Sequence, residues 1–196
     1  LMIVTFNMPD AKSDTDDNKT VATDLEDSYY TEKNLPEGDT FSIVAYDPET
    51  GEIGSAGTSC VGRTIDFLGD LIRDTNGNII GGINTQASYL EGNQNRARAR
   101  MLAGDTPQEI INYMIRNDVD GDPGPRQYGV VGFDDNGNLA TAGYTGSTTG
   151  TEGGHITGIN YAIQGNILIN LDVLADMETA FLNTNGTLAD KLMAAL

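Results

Sequence analysis

The chain has 196 residues, 38% hydrophobic and 20% charged, which suits one globular domain with a sizeable core. Its 29 acidic residues against 11 basic ones give a formal net charge of −18. Such a surface repels phosphate backbones and anionic lipid, so neither nucleic acid nor a membrane surface is expected as a partner. Abundant glycine, 24 residues, and the absence of tryptophan favour turn-rich β structure over a helical bundle.

The first eight residues, Leu1 to Met8, are apolar and strand-like, with Leu1, Ile3, Val4 and Phe6 as the residues expected to make assembly contacts. Leu1–Phe6 resembles the end of a signal peptide's apolar region without the basic segment before it, and the expected location is extracellular or at the cell surface. A polar stretch, residues 9–39, follows with little periodicity. Across residues 1–39 ten acids stand against three lysines, the composition of an extended arm or linker that cannot fold alone. A short apolar strand on such a linker is suited to joining a neighbour's sheet. It can equally fold back onto its own domain.

From Thr40 the chain becomes regular, and residues 40–196 read as the folded domain. Residues 40–47 alternate apolar with small or polar side chains, turn at Asp47-Pro48-Glu49-Thr50-Gly51, and return through 52–60 as a β-hairpin. Two turns repeat one chemistry, Asp74-Thr75-Asn76-Gly77-Asn78 and Asp134-Asp135-Asn136-Gly137-Asn138. In each, Asn-Gly is expected to supply the positive φ values of a tight hairpin turn. Their flanks, Ile79-Ile80, 128–133 and 139–145, are strand-like.

A helix is predicted over 94–103 with Arg96, Arg98 and Arg100 outside. Thr106, Pro107 and Glu109 form the N-cap, first-turn proline and capping-box acid of a second helix, whose stripe is Ile110, Ile111, Met114 and Ile115. Leu171, Leu174, Glu178 and Phe181 suggest a third helix. Leu188, Leu192 and Leu196 suggest a fourth, separated from it by Gly186. Strands grouped around paired helices predict an α+β fold, a layered αββα sandwich with an N-terminal extended arm.

The lone Cys60 cannot form an internal disulfide and lies in a small-residue context expected to bury it. The single histidine, His155, cannot build a multi-histidine metal site, and neither a cofactor nor a structural metal is expected. Asp118-Val119-Asp120-Gly121-Asp122 resembles a calcium loop, but Pro123 occupies the sixth position and Gly129 the twelfth, where an EF-hand needs Gly and Glu. What remains is an acidic loop with the ligands for weak binding of a divalent cation.

Several segments carry a family resemblance in order along the chain. They are Thr40-Phe41-Ser42-Ile43-Val44-Ala45 with Asp47, Asn84-Thr85-Gln86-Ala87, residues 126–131, His155-Ile156-Thr157-Gly158, and residues 161–168. Together they resemble the Ntn-hydrolase-like family catalogued as domain of unknown function 1028, over about residues 40–196. In true N-terminal nucleophile hydrolases an N-terminal Thr, Ser or Cys attacks an amide with its own α-amine as base. The resemblance therefore places Thr40 as nucleophile, with Gln86, His155, Gln164 and Asn166 to orient a substrate or stabilise an oxyanion, and Arg63 to hold a carboxylate. Thr40 follows Asp39, so its nitrogen is an amide unless the chain is cut between them.

Two functions follow. One is an extracellular structural subunit on a hydrolase-like scaffold, self-assembling into a homo-oligomer or filament through its N-terminal strand. The alternative is a secreted amidohydrolase activated by removal of the arm.

Overall fold

The computed structural model describes the backbone of residues 2–7, and residues 39–60, 65 and 68–196 in full. Among the described residues nine strands and four helices follow one another as β1 (Met2–Asn7), β2 (Thr40–Tyr46), β3 (Ile53–Ser59), β4 (Gly69–Arg73), β5 (Ile79–Ala87), α1 (Glu91–Leu102), α2 (Pro107–Arg116), β6 (Arg126–Phe133), β7 (Leu139–Thr145), β8 (Gly154–Thr157), β9 (Tyr161–Asn166), α3 (Asp172–Asn183) and α4 (Leu188–Ala194). They form a five-stranded sheet, β1-β3-β2-β9-β8, and a four-stranded sheet, β4-β5-β6-β7. Every pairing is antiparallel.

The period-2 alternation of the strands builds three apolar layers. Ile43 and Ala45 of β2, Ala56 of β3, and Tyr161 and Ile163 of β9 meet Leu174, Met177 and Phe181 of α3 with Leu188 and Leu192 of α4. On the second sheet Ile72, Ile83, Tyr128, Val130 and Ala142 meet Ala97 and Met101 of α1 and Ile110, Ile111 and Met114 of α2. Each sheet thus carries one helix pair on its outer face. Between the sheets only Val44, Val131 and Ala162, flanked by Tyr46 and Leu71, make an apolar cluster. The layer is thin there, because a Cβ on Gly82 would come within 2.9 Å of both Ile53 and Val44. Toward the end where β2 begins, the inter-sheet space is polar.

The expected hairpin pairs Thr40–Tyr46 with Ser59–Ile53. Thr106 and Glu109 form the expected capping box of α2, and Thr187 with Asp190 makes a second one at α4. Helix α1 begins at Glu91 rather than at 94, since Leu90 enters it in an extended conformation without a side-chain cap. Leu171 is the N-cap of α3 and 48% exposed, not part of its buried stripe. Glu178 instead accepts a hydrogen bond from the Tyr161 hydroxyl at 2.6 Å.

The two repeated turns differ from expectation in one respect. Only the glycines take positive φ, 87° at Gly77 and 77° at Gly137. The Asp74 carboxylate accepts the N–H groups of Asn76 and Asn78, and Asp134 does the same for Asn136 and Asn138. These are three-residue hairpin loops closed by a left-handed glycine, which need no second left-handed residue.

Strand β1 pairs with β3 of the same chain, Met2 opposite Thr58 through Asn7 opposite Ile53, and forms the outer edge of the five-stranded sheet. Leu1 and residues 8–38, with most of the polar arm, lie outside the described residues, as does Arg63.

Candidate functional site

The inward positions of the strands divide into an apolar half and a polar half. At the end where β2 begins, β2 contributes Thr40 and Ser42, β3 Ser55 and Ser59, β5 Asn84 and Gln86, β6 Gln127, and β9 Gln164 and Asn166. All nine are buried. Burying so many polar groups is tolerable only when they satisfy one another, and they do so as one network.

The Cys60 N–H donates to the Asp39 carbonyl at 3.1 Å, so Thr40 and Ser59 form a non-hydrogen-bonded ladder pair, the kind whose side chains approach most closely. Their hydroxyls lie 2.7 Å apart. The Ser42 hydroxyl donates to Gln86 Oε1 at 2.6 Å and accepts from Asn84 Nδ2 at 3.0 Å and Gln164 Nε2 at 2.5 Å. Ser55 donates to Asn84 Oδ1 at 2.7 Å.

Gln127 is the hub. Its Oε1 accepts from Gln86 Nε2 at 2.7 Å and Asn166 Nδ2 at 3.0 Å. Its Nε2 donates to the Gly165 carbonyl at 2.7 Å, and to the Gly154 carbonyl and Thr145 Oγ1 at 3.0 Å each. Gln86 Nε2 also reaches the Thr40 and Gln164 carbonyls, at 3.4 Å. Gln164 Oε1 is the one buried atom of the network without a partner. It faces Gly129, where any Cβ would collide with it.

Two strands leave this end through strained residues. Ala87, directly after Gln86, has φ 65°, and Ile167, directly after Asn166, has φ 56°. For a β-branched residue such as Ile167 this is an outlier that its surroundings must impose. Strain of that kind clusters where a fold holds side chains for a purpose.

His155 joins the network from the surface. Its Nδ1 lies 2.9 Å from Thr145 Oγ1. That oxygen already accepts from Gln127, so its own proton is free to go to Nδ1, favouring the neutral ring with its proton on Nε2. The ring rests on Gly143, where a Cβ would strike it, and this desolvation lowers its pKa from the usual 6.5. Below about 6.5 the unfolded chain therefore binds a proton that the folded one declines. Stability is expected to fall as pH drops from about 7 to about 5, and His155→Gln is expected to flatten that slope in melting curves.

Cys60 is exposed, against expectation, because it follows the last residue of β3. Its thiol donates to Asp39 Oδ1 at 2.6 Å, which pushes its pKa up and works against a reactive thiolate.

The loop at 118–122 belongs to a different cluster. Asp118 accepts from Arg126 Nε at 3.0 Å, from Asn93 Nδ2 at 2.6 Å, and from the N–H groups of Asp120 and Asp122. Arg126 also donates to Asp120 at 2.7 Å and to the Ser88 carbonyl at 2.7 Å. The Asp118 and Arg126 side chains are 0% and 5% exposed. The Asp118 carboxylate thus serves protein donors and has no free face for a cation. Among the described residues no group of three or more His, Cys, Asp or Glu side chains could hold a metal ion. No helix among them is long and apolar enough to cross a membrane.

The network gathers Thr40, Gln86, Gln164 and Asn166, and links them through Gln127 and Thr145 to His155. A model of a family of unknown function, DUF1028, matches residues 40–196. The chain belongs to the DUF1028 family. A crystal structure of a protein from Silicibacter pomeroyi, itself assigned to DUF1028, is similar with a TM-score of 0.63 and 28% identity, covering 80% of this chain and 68% of that one. No curated protein matches. The DUF1028 match begins at Thr40, the first residue of β2, and includes the whole polar network. Strand β1 lies outside it.

Ser42, Ser55, Ser59, Asn84 and Gln127 carry no mark of a site residue in the sequence. Their one signal is parity, since Thr40 and Ser42 on β2 and Gln127 on β6 stand at positions that alternate with core residues. Knowing that this face meets a second sheet requires the fold.

Proposed function

We propose that this DUF1028 protein is an extracellular structural subunit that assembles with copies of itself by donating its N-terminal strand. We also infer that its two sheets and two helix pairs are an Ntn-hydrolase-like αββα sandwich serving as scaffold. One observation carries the assembly reading: β1 completes the sheet edge beside β3 through six consecutive residue pairs. Ile3 stands opposite Gly57 and Phe6 opposite Gly54, positions where the acceptor strand has no side chain of its own.

Strands β1 and β2 both run antiparallel to β3, so they are parallel and the chain between them must return along the sheet. Crossing a seven-residue strand takes about 23 Å, whereas the 32 residues from 8 to 39 reach up to roughly 105–115 Å. The connection is several times longer than pairing within one chain requires. The linker is therefore long enough for β1 to take the same edge of a neighbour in place of that neighbour's own strand, and donation from copy to copy propagates a homopolymer.

The alternative reading is a secreted amidohydrolase with Thr40 as its N-terminal nucleophile. It is favoured by the position of Thr40 at the mouth of the polar network, beside two strained strand ends. It requires release of the Thr40 nitrogen from Asp39.

Deletion of residues 1–7 tests the proposal. The truncated protein is expected to remain folded and sediment as a monomer, while the full chain assembles and Ile3→Asp or Phe6→Asp weakens assembly. Unfolding of the truncated monomer would assign β1 to its own core, and undiminished assembly would remove the role of the strand. A dominant species beginning at Thr40 in intact-mass spectra, with amidase activity lost in Thr40→Ala, would favour the hydrolase instead.

A further inference from the structure

The described residues contain three Asn-Gly pairs, Asn76-Gly77, Asn136-Gly137 and Asn185-Gly186. This dipeptide is prone to self-modification, because the unhindered glycine nitrogen can attack the asparagine side chain. The structure treats the three unequally.

In the β4–β5 turn the Gly77 N–H donates to the Asp74 carbonyl at 3.1 Å, and in the β6–β7 turn the Gly137 N–H donates to Asp134 at 2.9 Å. The asparagine N–H groups are held at 2.8 and 2.9 Å by the same aspartates. Asn78 and Asn138 close each turn with a side-chain amide to the second carboxylate oxygen. Both attacking nitrogens are thus engaged within rigid turns.

Asn185 lies in the loop between α3 and α4, exposed to solvent. That loop is anchored on both sides, by Thr184 N–H to the Ala180 carbonyl and by the Thr187 capping box. Among the described residues neither the Gly186 N–H nor the Asn185 side chain makes a hydrogen bond. Gly186 has φ 127°, a conformation open to glycine alone.

We propose that Asn185 is a self-modification site that converts to aspartate and isoaspartate while Asn76 and Asn136 are protected. The Gly186 nitrogen forms a bond to Cγ of Asn185 and gives its proton to solvent. The Cγ–Nδ2 bond breaks, and ammonia leaves. Water then opens the resulting cyclic imide at either carbonyl, giving aspartate or a backbone rerouted through the side chain. Each event adds one negative charge beside the Asp190 carboxylate that caps α4.

Freeing Gly77 or Gly137 requires breaking its own hydrogen bond and loosening the aspartate clamp around it. A factor of ten in rate corresponds to about 1.4 kcal/mol, so position 185 is expected to convert about tenfold faster or more. The test incubates the full-length folded protein at mildly alkaline pH and follows each Asn-Gly peptide by mass spectrometry. A parallel sample unfolded in denaturant is expected to convert all three at similar rates. Equal rates in the folded protein, or a slower rate at 185, would overturn the proposal. So would a glycan on Asn185 that blocks its side chain.

Discussion

Arg126→Met is expected to destabilise the domain by about 3–5 kcal/mol, because it leaves the fully buried Asp118 carboxylate without its charged partner. For a domain of this size that corresponds to a fall in melting temperature of roughly 6–20 °C. Burial alone would raise the pKa of Asp118. Hydrogen bonds from Arg126, Asn93 and the Asp120 N–H, together with the charge of Arg126, outweigh it and hold the carboxyl below its usual 3.8. The unfolded chain binds the proton first, so this contribution is present above pH 3.8 and lost as pH falls through the lower folded value. The cluster joins three parts of the fold: Asn93 on α1, Arg126 opening β6, and the loop between α2 and β6. Replacing both charges, with Asp118→Leu added to Arg126→Met, is expected to recover part of the loss, since an apolar pair no longer strands a charge. A loss below about 1 kcal/mol for the single variant would place the pair with exposed salt bridges and contradict its burial.

Gln127→Leu is expected to cost about 2–4 kcal/mol although it preserves volume, because the loss comes from the partners left behind. Asn166 Nδ2 loses its acceptor, and the Gly154 and Gly165 carbonyls lose a donor. Each buried group left unsatisfied costs about 1–3 kcal/mol. Gln86 is less affected, since its amide also reaches two main-chain carbonyls. A double-mutant cycle with Asn166→Leu separates network from volume. Groups in direct contact should couple by about 0.5–3 kcal/mol, and additive losses would mean that Gln127 serves only as filler. The same variant tests whether the network supports His155, because Thr145 loses the donor that directs its proton to the ring. A changed pH slope of stability in Gln127→Leu would report that link.

Much of the local structure was legible in the residues. The capping box at Thr106 and Glu109, the hairpin around residues 47–51, and the position of the two Asn-Gly turns are decided by contacts within five positions, which a sequence displays directly. The apolar stripes of α2, α3 and α4 likewise follow from helical spacing. The sequence misleads where the end of an element, marked by no particular residue, decides the outcome. Leu171 has the spacing of a core residue, yet it stands at the N-cap of α3. Cys60 has an apolar neighbourhood, yet it lies one residue beyond the end of β3. Helix α1 carries no side-chain cap to mark its start, so three residues at its beginning went unrecognised.

The candidate site divides in the same way. Thr40, Gln86, His155, Gln164 and Asn166 were found through segments resembling the family, and all join one network. Gln127 was overlooked, although it bonds four of the elements that meet there. A buried glutamine and a surface glutamine look identical in sequence, because their difference is the facing sheet. By itself the sequence determined the acidic charge, which is composition alone, and the first hairpin, the α2 cap and the strands around residues 134–138, which are set by dihedral preference and short-range hydrogen bonding. Only the tertiary structure decided that the polar faces of two sheets close on each other. Gln127 lies 41 positions from Gln86 and 39 from Asn166, and nothing in local preference specifies a contact at that separation. Burial then turns such contacts from optional to obligatory, since polar groups removed from water must find one another.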